Sequence, residues 1–295
     1  MRILIASNTR NLVYLGYHLG VEGHDVTYVT IDATVNYILQ QAPRLSLISD
    51  NIPLLDTLRK KGADVLGDSL LPESLKHASI SQGILRLAGY DVAPYASNPQ
   101  MARYVLFNGT DFVARSRLDV DHARNSLIST VSDDNRFTAP LVPLLRGRYR
   151  GVIKLGFDDE GRVIHLSAPP LTAPIWMMYL ELAGRNGGNF LHSLADGSLK
   201  EFPSYSQCVS LVSIYIAPIP KDGVIAKVDA IEAGALPHLW ITQPYSTLDN
   251  IVRLTGTCDG GLGWVSAQGR TPREAQRRTE RTLSRMKRAI PNLRN

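Results

Sequence analysis

The side chains best suited to chemistry fall in a few short groups. Asp121, His122 and Arg124 place a carboxylate, an imidazole and a guanidinium within one short run, and His122 is the one histidine of 7 with both an acid and an arginine within two positions. Imidazole titrates near neutrality, so such a cluster suits contact with an ionised ligand. Arg10 follows the first apolar run, where a guanidinium beside a helix N-terminus suits a phosphate. Asp111 closes the run Asn108-Gly109-Thr110-Asp111, whose chemistry is that of a tight turn. Asp32 ends a β-branched run, but the first turn reads Ser7-Asn8-Thr9-Arg10-Asn11 and lacks the glycine fingerprint of dinucleotide binding, so Asp32 reads as a strand-end residue. Arg273, Arg277, Arg281 and Arg285 recur every fourth residue and form a basic stripe on one helix face, either a solvated face or a docking surface for polyanions.

Those residues need a scaffold, and composition bounds it. The 295 residues are 44% hydrophobic and 20% charged, which suits two or three packed units rather than a disordered chain. No run approaches the roughly 18 apolar residues of a membrane span, and Met1 to Ser7 has no cleavage site after it, so a cytoplasmic protein without a membrane partner is expected. Cys208 and Cys258 offer neither a disulfide framework nor metal-ligand spacing. The net charge of +5 is local: residues 270 to 295 hold nine basic and two acidic side chains, a net +7, which leaves −2 for the rest. The basic balance thus belongs to one terminal helix and describes no general cationic surface.

Periodicity places the elements. Arg2 to Ala6, Asp25 to Ile31, Leu45 to Ile48 and Ala63 to Leu66 read as strands alternating with helical stretches at Asn11 to Val21, Pro53 to Lys61 and Leu75 to Leu87. That alternation predicts a parallel α/β sheet. From Tyr104 the pattern changes to hairpins: Tyr104 to Phe107 with Phe112 to Leu118, then Gly151 to Phe157 with Arg162 to Leu166, which predicts an antiparallel α+β unit. Ile175 to Leu182 is helix-compatible, and Gln207 to Ile216 and Ile251 to Thr255 read as strands of a third unit. Pro272 to Ala289 closes that unit as a helix, with Thr271 as N-cap, Pro272 in the first turn and Glu274 as the capping-box acid. Ala275, Thr279, Thr282, Met286 and Ile290 form its inward stripe.

Several of these segments together carry a resemblance. Asp259-Gly260-Gly261-Leu262-Gly263-Trp264-Val265 through Gly269-Arg270-Thr271-Pro272, the Asp121-His122-Ala123-Arg124 motif, the hairpin Tyr149 to Ile164 and Leu194-Ala195-Asp196-Gly197-Ser198-Leu199 occur in one order. In that order they are similar to phosphoribosylamine-glycine ligases of the ATP-grasp superfamily. The resemblance implies a purine-pathway ancestor that joined glycine to phosphoribosylamine through an acyl phosphate. It also implies an N-terminal parallel α/β domain (1–97), an abbreviated ATP-grasp core without its lid (98–200) and a small C-terminal α+β domain (201–295). By the same resemblance, Arg10 takes the place of the family's Gly-Gly-Arg and Asp111 that of its acid facing the nucleotide ribose.

The departures from the family bear on activity. Where it holds Mg²⁺ with a Glu and an Asn, this chain has His165 and Ser167, with Pro169 and Leu171-Thr172-Ala173-Pro174 beyond. Magnesium requires oxygen ligands, so His165 is a poor substitute. The stretch from Tyr95 to Arg103 leaves no room for the ATP lid, and Thr130 to Phe137 replaces a glycine-rich substrate loop. Phosphoryl transfer depends on such metal and cation positioning. The expectation is therefore a noncatalytic relative, a pseudoenzyme with no cofactor, that binds a phosphorylated small molecule or a protein partner. One rival is a working ATP-dependent carboxylate-amine ligase with an atypical ATP and magnesium site. The other is an assembly protein that uses its basic helix on an acidic partner or on nucleic acid, a use not favoured because no aromatic platform accompanies the arginines.

Overall fold

The computed structural model describes residues 1–7, 12–30, 32, 34–48, 52–67, 75, 77–95, 101–123, 126–132, 136–171, 173–204, 208–216, 224–227, 239–240, 247–248, 251–253, 261–289 and 293–294. The chain forms two compact units, Met1–Asp121 with Ser129–Tyr205, and His122–Ile128 with Ser206–Asn295.

The first unit begins with β1 (Arg2–Ala6), α1 (Val13–Val21), β2 (Asp25–Val29), α2 (Val35–Gln40), β3 (Leu45–Ile48), α3 (Ile52–Lys60) and β4 (Val65–Gly67). Its sheet runs β2-β1-β3-β4, and all pairings are parallel. The apolar runs that predicted buried strands occupy the middle: Ile3, Leu4, Ile5, Leu45 and Leu47 are fully buried. Leu54, Leu55 and Leu58 of α3 close over one face with Ile38 of α2.

The same unit continues with α4 (Ala78–Leu87), β5 (Met101–Phe107), β6 (Arg117–Ala123) as far as Asp121, β7 (Ser126–Ser132) from Ser129 on, α5 (Val142–Leu145), β8 (Gly151–Phe157), β9 (Val163–Ser167), α6 (Pro174–Ala183) and α7 (Gly187–Asp196). Its second sheet is antiparallel, in the order β6-β5-β8-β9. The second predicted hairpin forms as read, and the first is corrected. Phe112 makes one bridge to Phe107, but the strand that pairs with β5 begins at Arg117, not Phe112. Arg115 adopts a left-handed φ of 54°, which interrupts an extended strand. The turn itself holds, because Asn108 Oδ1 accepts the amides of Thr110 and Asp111, each at 2.9 Å.

A buried acid fastens the parallel layer to α7. Glu22 accepts the amides of Gly187 and Gly188 at 2.9 and 2.8 Å, at the positive end of that helix. His18 and His24 lie 3.0 and 3.3 Å from its two oxygens. Burial opposes ionisation of Glu22, but hydrogen bonding from His18 and from Gly188 outweighs it and lowers its pKa.

The second unit contains β10 (Cys208–Ile216), β11 (Val224–Lys227), β12 (Leu239–Trp240), β13 (Thr247–Leu248), β14 (Ile251–Arg253), β15 (Gly261–Gly269), α8 (Pro272–Ala289) and β16 (Leu293–Arg294). β10 pairs antiparallel with β15 along its length, and α8 packs on both. Gly269 permits this approach, since a Cβ there would lie 2.5 Å from the Ala275 nitrogen. The predicted cap is present: Thr271 Oγ1 accepts the Glu274 amide at 3.2 Å. The Glu274 carboxylate turns back to the amide of Arg270, one residue before the N-cap position of an ordinary capping box. The inward stripe consists of Ala275, Thr279 and Leu283, all buried, with Leu283 in the role read for its half-buried neighbour Thr282. The side chain of Met286 and the whole of Ile290 and Cys258 lie outside the described residues, whereas Cys208 is a buried free thiol.

Candidate functional site

A polar row crosses one face of the antiparallel sheet. β5 and β8 pair Tyr104 with Lys154, and β8 and β9 pair Lys154 with Ser167 and Gly156 with His165. Side chains two residues apart share a face, so Tyr104, Lys154 and Ser167 stand in line with His165 beside them. Lys154 Nζ lies 5.8 Å from the Tyr104 ring centroid, and the Tyr95 ring lies 5.9 Å from that of His165. Alternate residues Leu155 and Leu166 point the other way into the core beneath α4.

The strand that carries His165 is fixed on both sides. β8 holds one edge. On the other, Ser81 Oγ bonds both the amide and the carbonyl of Leu166, and Gln82 Nε2 donates to the carbonyls of Ala93 and Ile164. Helix α4 thereby covers an edge that would otherwise expose unpaired backbone groups.

Burial sets the electrostatics of the row. It pushes the Tyr104 hydroxyl up to about 12 and lowers the pKa of Lys154. Burial, then the Lys154 charge, brings His165 down to about 4, so its ring is neutral at pH 7. His165 is 8% exposed, and its Nδ1 has no hydrogen-bond partner. Lys154 makes no ion pair among the described residues. A neutral imidazole, a protonated phenol, a hydroxyl and an ammonium suit the binding of an anionic oxygen. They do not suit Mg²⁺: the row has no carboxylate and places a cation at its centre. Among the described residues no three His, Cys, Asp or Glu side chains gather as a metal site.

The residues singled out from sequence are placed elsewhere or not described. Arg10 and Arg124 lie outside the described residues. Asp121 and His122 are in the backbone of β6, Asp121 opposite Met101, three positions from the Leu118 that pairs with Tyr104. Asp111 is exposed in its turn, where its Oδ1 accepts the Phe112 amide at 2.7 Å. Arg273, Arg277 and Arg281 are exposed on α8, and the side chain of Arg285 lies outside the described residues. Sequence reasoning passed over Lys154, although a lone lysine in Gly151-Val152-Ile153-Lys154-Leu155-Gly156-Phe157 was a signal, since lysine is rarely placed in a buried strand without a reason.

This fold is similar to that of several solved ligases, synthases and carboxylases. An L-amino acid ligase from Bacillus licheniformis superposes with a TM-score of 0.58 at 10% identity, covering 95% of this chain and 96% of that one. An N5-carboxyaminoimidazole synthase from Aspergillus clavatus, in complex with ADP and 5-aminoimidazole ribonucleotide, gives 0.59 at 9% identity, with 97% and 98% covered. Biotin carboxylase from Campylobacter jejuni gives 0.58 at 10% identity, with 99% and 91% covered. No family model matches the chain. No curated protein matches it either. Identities this low carry the fold and leave the activity open. Among the described residues no helix is long and apolar enough to cross a membrane.

Proposed function

We propose that this chain is a relative of phosphoribosylamine-glycine ligase in which ATP-dependent ligation is lost, and that its antiparallel sheet face binds a phosphorylated small molecule without a divalent metal. The observation that carries the reading is Lys154 standing between Tyr104 and Ser167, with His165 beside it, on the strand pair where the resembled family holds magnesium. An ammonium there neutralises an anionic oxygen directly. It also repels the cation that phosphoryl transfer needs. Support for the lineage comes from the order of the sequence motifs and from neighbours solved with ADP or ATP. The 98–200 core and the 201–295 domain are read in the same light.

Calorimetric titration tests this. Ribose 5-phosphate binds the wild-type protein in the presence of a chelator, and Lys154→Met abolishes that binding. Micromolar binding of ATP that requires Mg²⁺ would overturn the reading in favour of a working ligase.

A further inference from the structure

A second group of cations has no part in the sheet face. A cavity of about 450 Å³ opens within the first unit, where the end of α3, the turn at Gly109, the segment from Gly147 to Arg150 and the end of α7 meet. Its volume falls in the range of small-molecule sites. Arg59, Lys60, Arg148 and Arg150 all line it.

Their charges are only partly met from within the fold, by Asp56 near Arg59 and Asp196 near Arg150. None of the four forms an ion pair among the described residues. Three acids share the lining, Asp56, Asp64 and Asp196. Two of these also face His192, Asp64 at 3.3 Å and Asp196 at 3.8 Å, and Asp196 accepts the Ser198 amide at 2.7 Å and feels the charge of Arg150. The lining thus sets four cations against three carboxylates and stays net positive.

The two guanidiniums are also held in place. Arg59 donates to the Val65 carbonyl at 3.3 Å and Arg150 to that of Ala195. Gly109 makes room for the second, since a Cβ there would lie 2.8 Å from Arg150 Nε. Burial and the proximity of Arg150 lower the pKa of Arg59, the mark of two like charges kept close. Arg59 Nε is buried without a hydrogen-bond partner. Like charges fixed beside one cavity call for an anion to sit between them.

We propose that this cavity is an anion site for the phosphate or pyrophosphate group of a small molecule, with Arg59 and Arg150 as fixed donors and Lys60 and Arg148 as mobile charges at its mouth. It stands apart from Lys154 and does not depend on the reading of the sheet face.

The probe is inorganic pyrophosphate, titrated calorimetrically with a chelator present into wild type, Lys60→Gln/Arg148→Gln and Lys154→Met. Lys60 and Arg148 are exposed, so the double variant keeps the wild-type melting temperature without ligand. The equivalent of pyrophosphate that the cavity takes is bound about tenfold or more weakly by the double variant and is kept by Lys154→Met, whatever that variant loses at the sheet face. No binding by wild type at millimolar pyrophosphate, or equal affinity in the double variant, overturns the proposal. Loss in Lys154→Met alone overturns it too, and assigns the anion to the sheet face.

Discussion

The hydroxyl of Ser81 accepts the Leu166 amide at 2.7 Å and donates to the Leu166 carbonyl at 2.8 Å, across 85 residues of sequence. One side chain so completes the hydrogen bonding of the residue next to His165, on the outer edge of the sheet. Ser81→Ala leaves a buried N–H and C=O without that partner, at a cost of about 1–3 kcal/mol. Urea denaturation measures the loss. A midpoint unchanged from wild type would mean that water replaces the hydroxyl and that α4 does not fix the edge.

How much of this was legible in sequence depends on the range of the interaction. Leu45 to Ile48 and Gly151 to Phe157 read as strands with the observed bounds, because burial on both faces, or on alternate positions, is written in consecutive residues. The Thr271 cap was legible because its partners lie within four residues. Phe112 to Leu118 misled because its apolar residues suit a strand while Arg115 takes a left-handed turn. The bond from Ser81 to Leu166, and the meeting of Arg59 with Arg150, had no local trace: the chain brings them together only after the sheets form.

Lys154 is predicted to trade stability for binding. Its ammonium is partly desolvated and unpaired among the described residues. A charge in that state destabilises the fold unless a ligand meets it. Lys154→Met therefore melts at or above the wild-type temperature while losing ribose 5-phosphate. A clear fall in melting temperature would show that the lysine serves the fold instead.

The Glu22 anchor gives the stability a defined pH dependence. Its folded pKa lies below the ordinary 4.5, so the unfolded chain takes up a proton first as the pH falls. The stabilisation is complete above 4.5 and is lost as the pH drops through the lower folded value. Glu22→Gln removes the charge that faces the amides of Gly187 and Gly188, at a cost of about 1–3 kcal/mol near neutrality. The gap between wild type and variant should narrow below the 4.5 mark. A gap that holds constant to the acid limit would mean that packing, not ionisation, carries the anchor.

The terminal helix separates structure from charge along its two faces. Ala275, Thr279 and Leu283 are buried, whereas Arg273, Arg277 and Arg281 are exposed and Arg278 pairs with Glu274 at 2.6 Å. Thr271→Ala removes the cap and is expected to cost about 1 kcal/mol. Arg277→Glu with Arg281→Glu changes only the solvated face and is expected to shift stability by less than about 0.5 kcal/mol. If that face docks on nucleic acid, retention at low salt must fall steeply as salt rises, and the double reversal must flatten the dependence, because each neutralised phosphate releases counterion. The solvated reading predicts no arginine-dependent retention at physiological ionic strength, since the helix Pro272–Ala289 itself carries no aromatic residue on which bases could stack. Retention of RNA or DNA that the reversal abolishes would reject it and make α8 a docking surface.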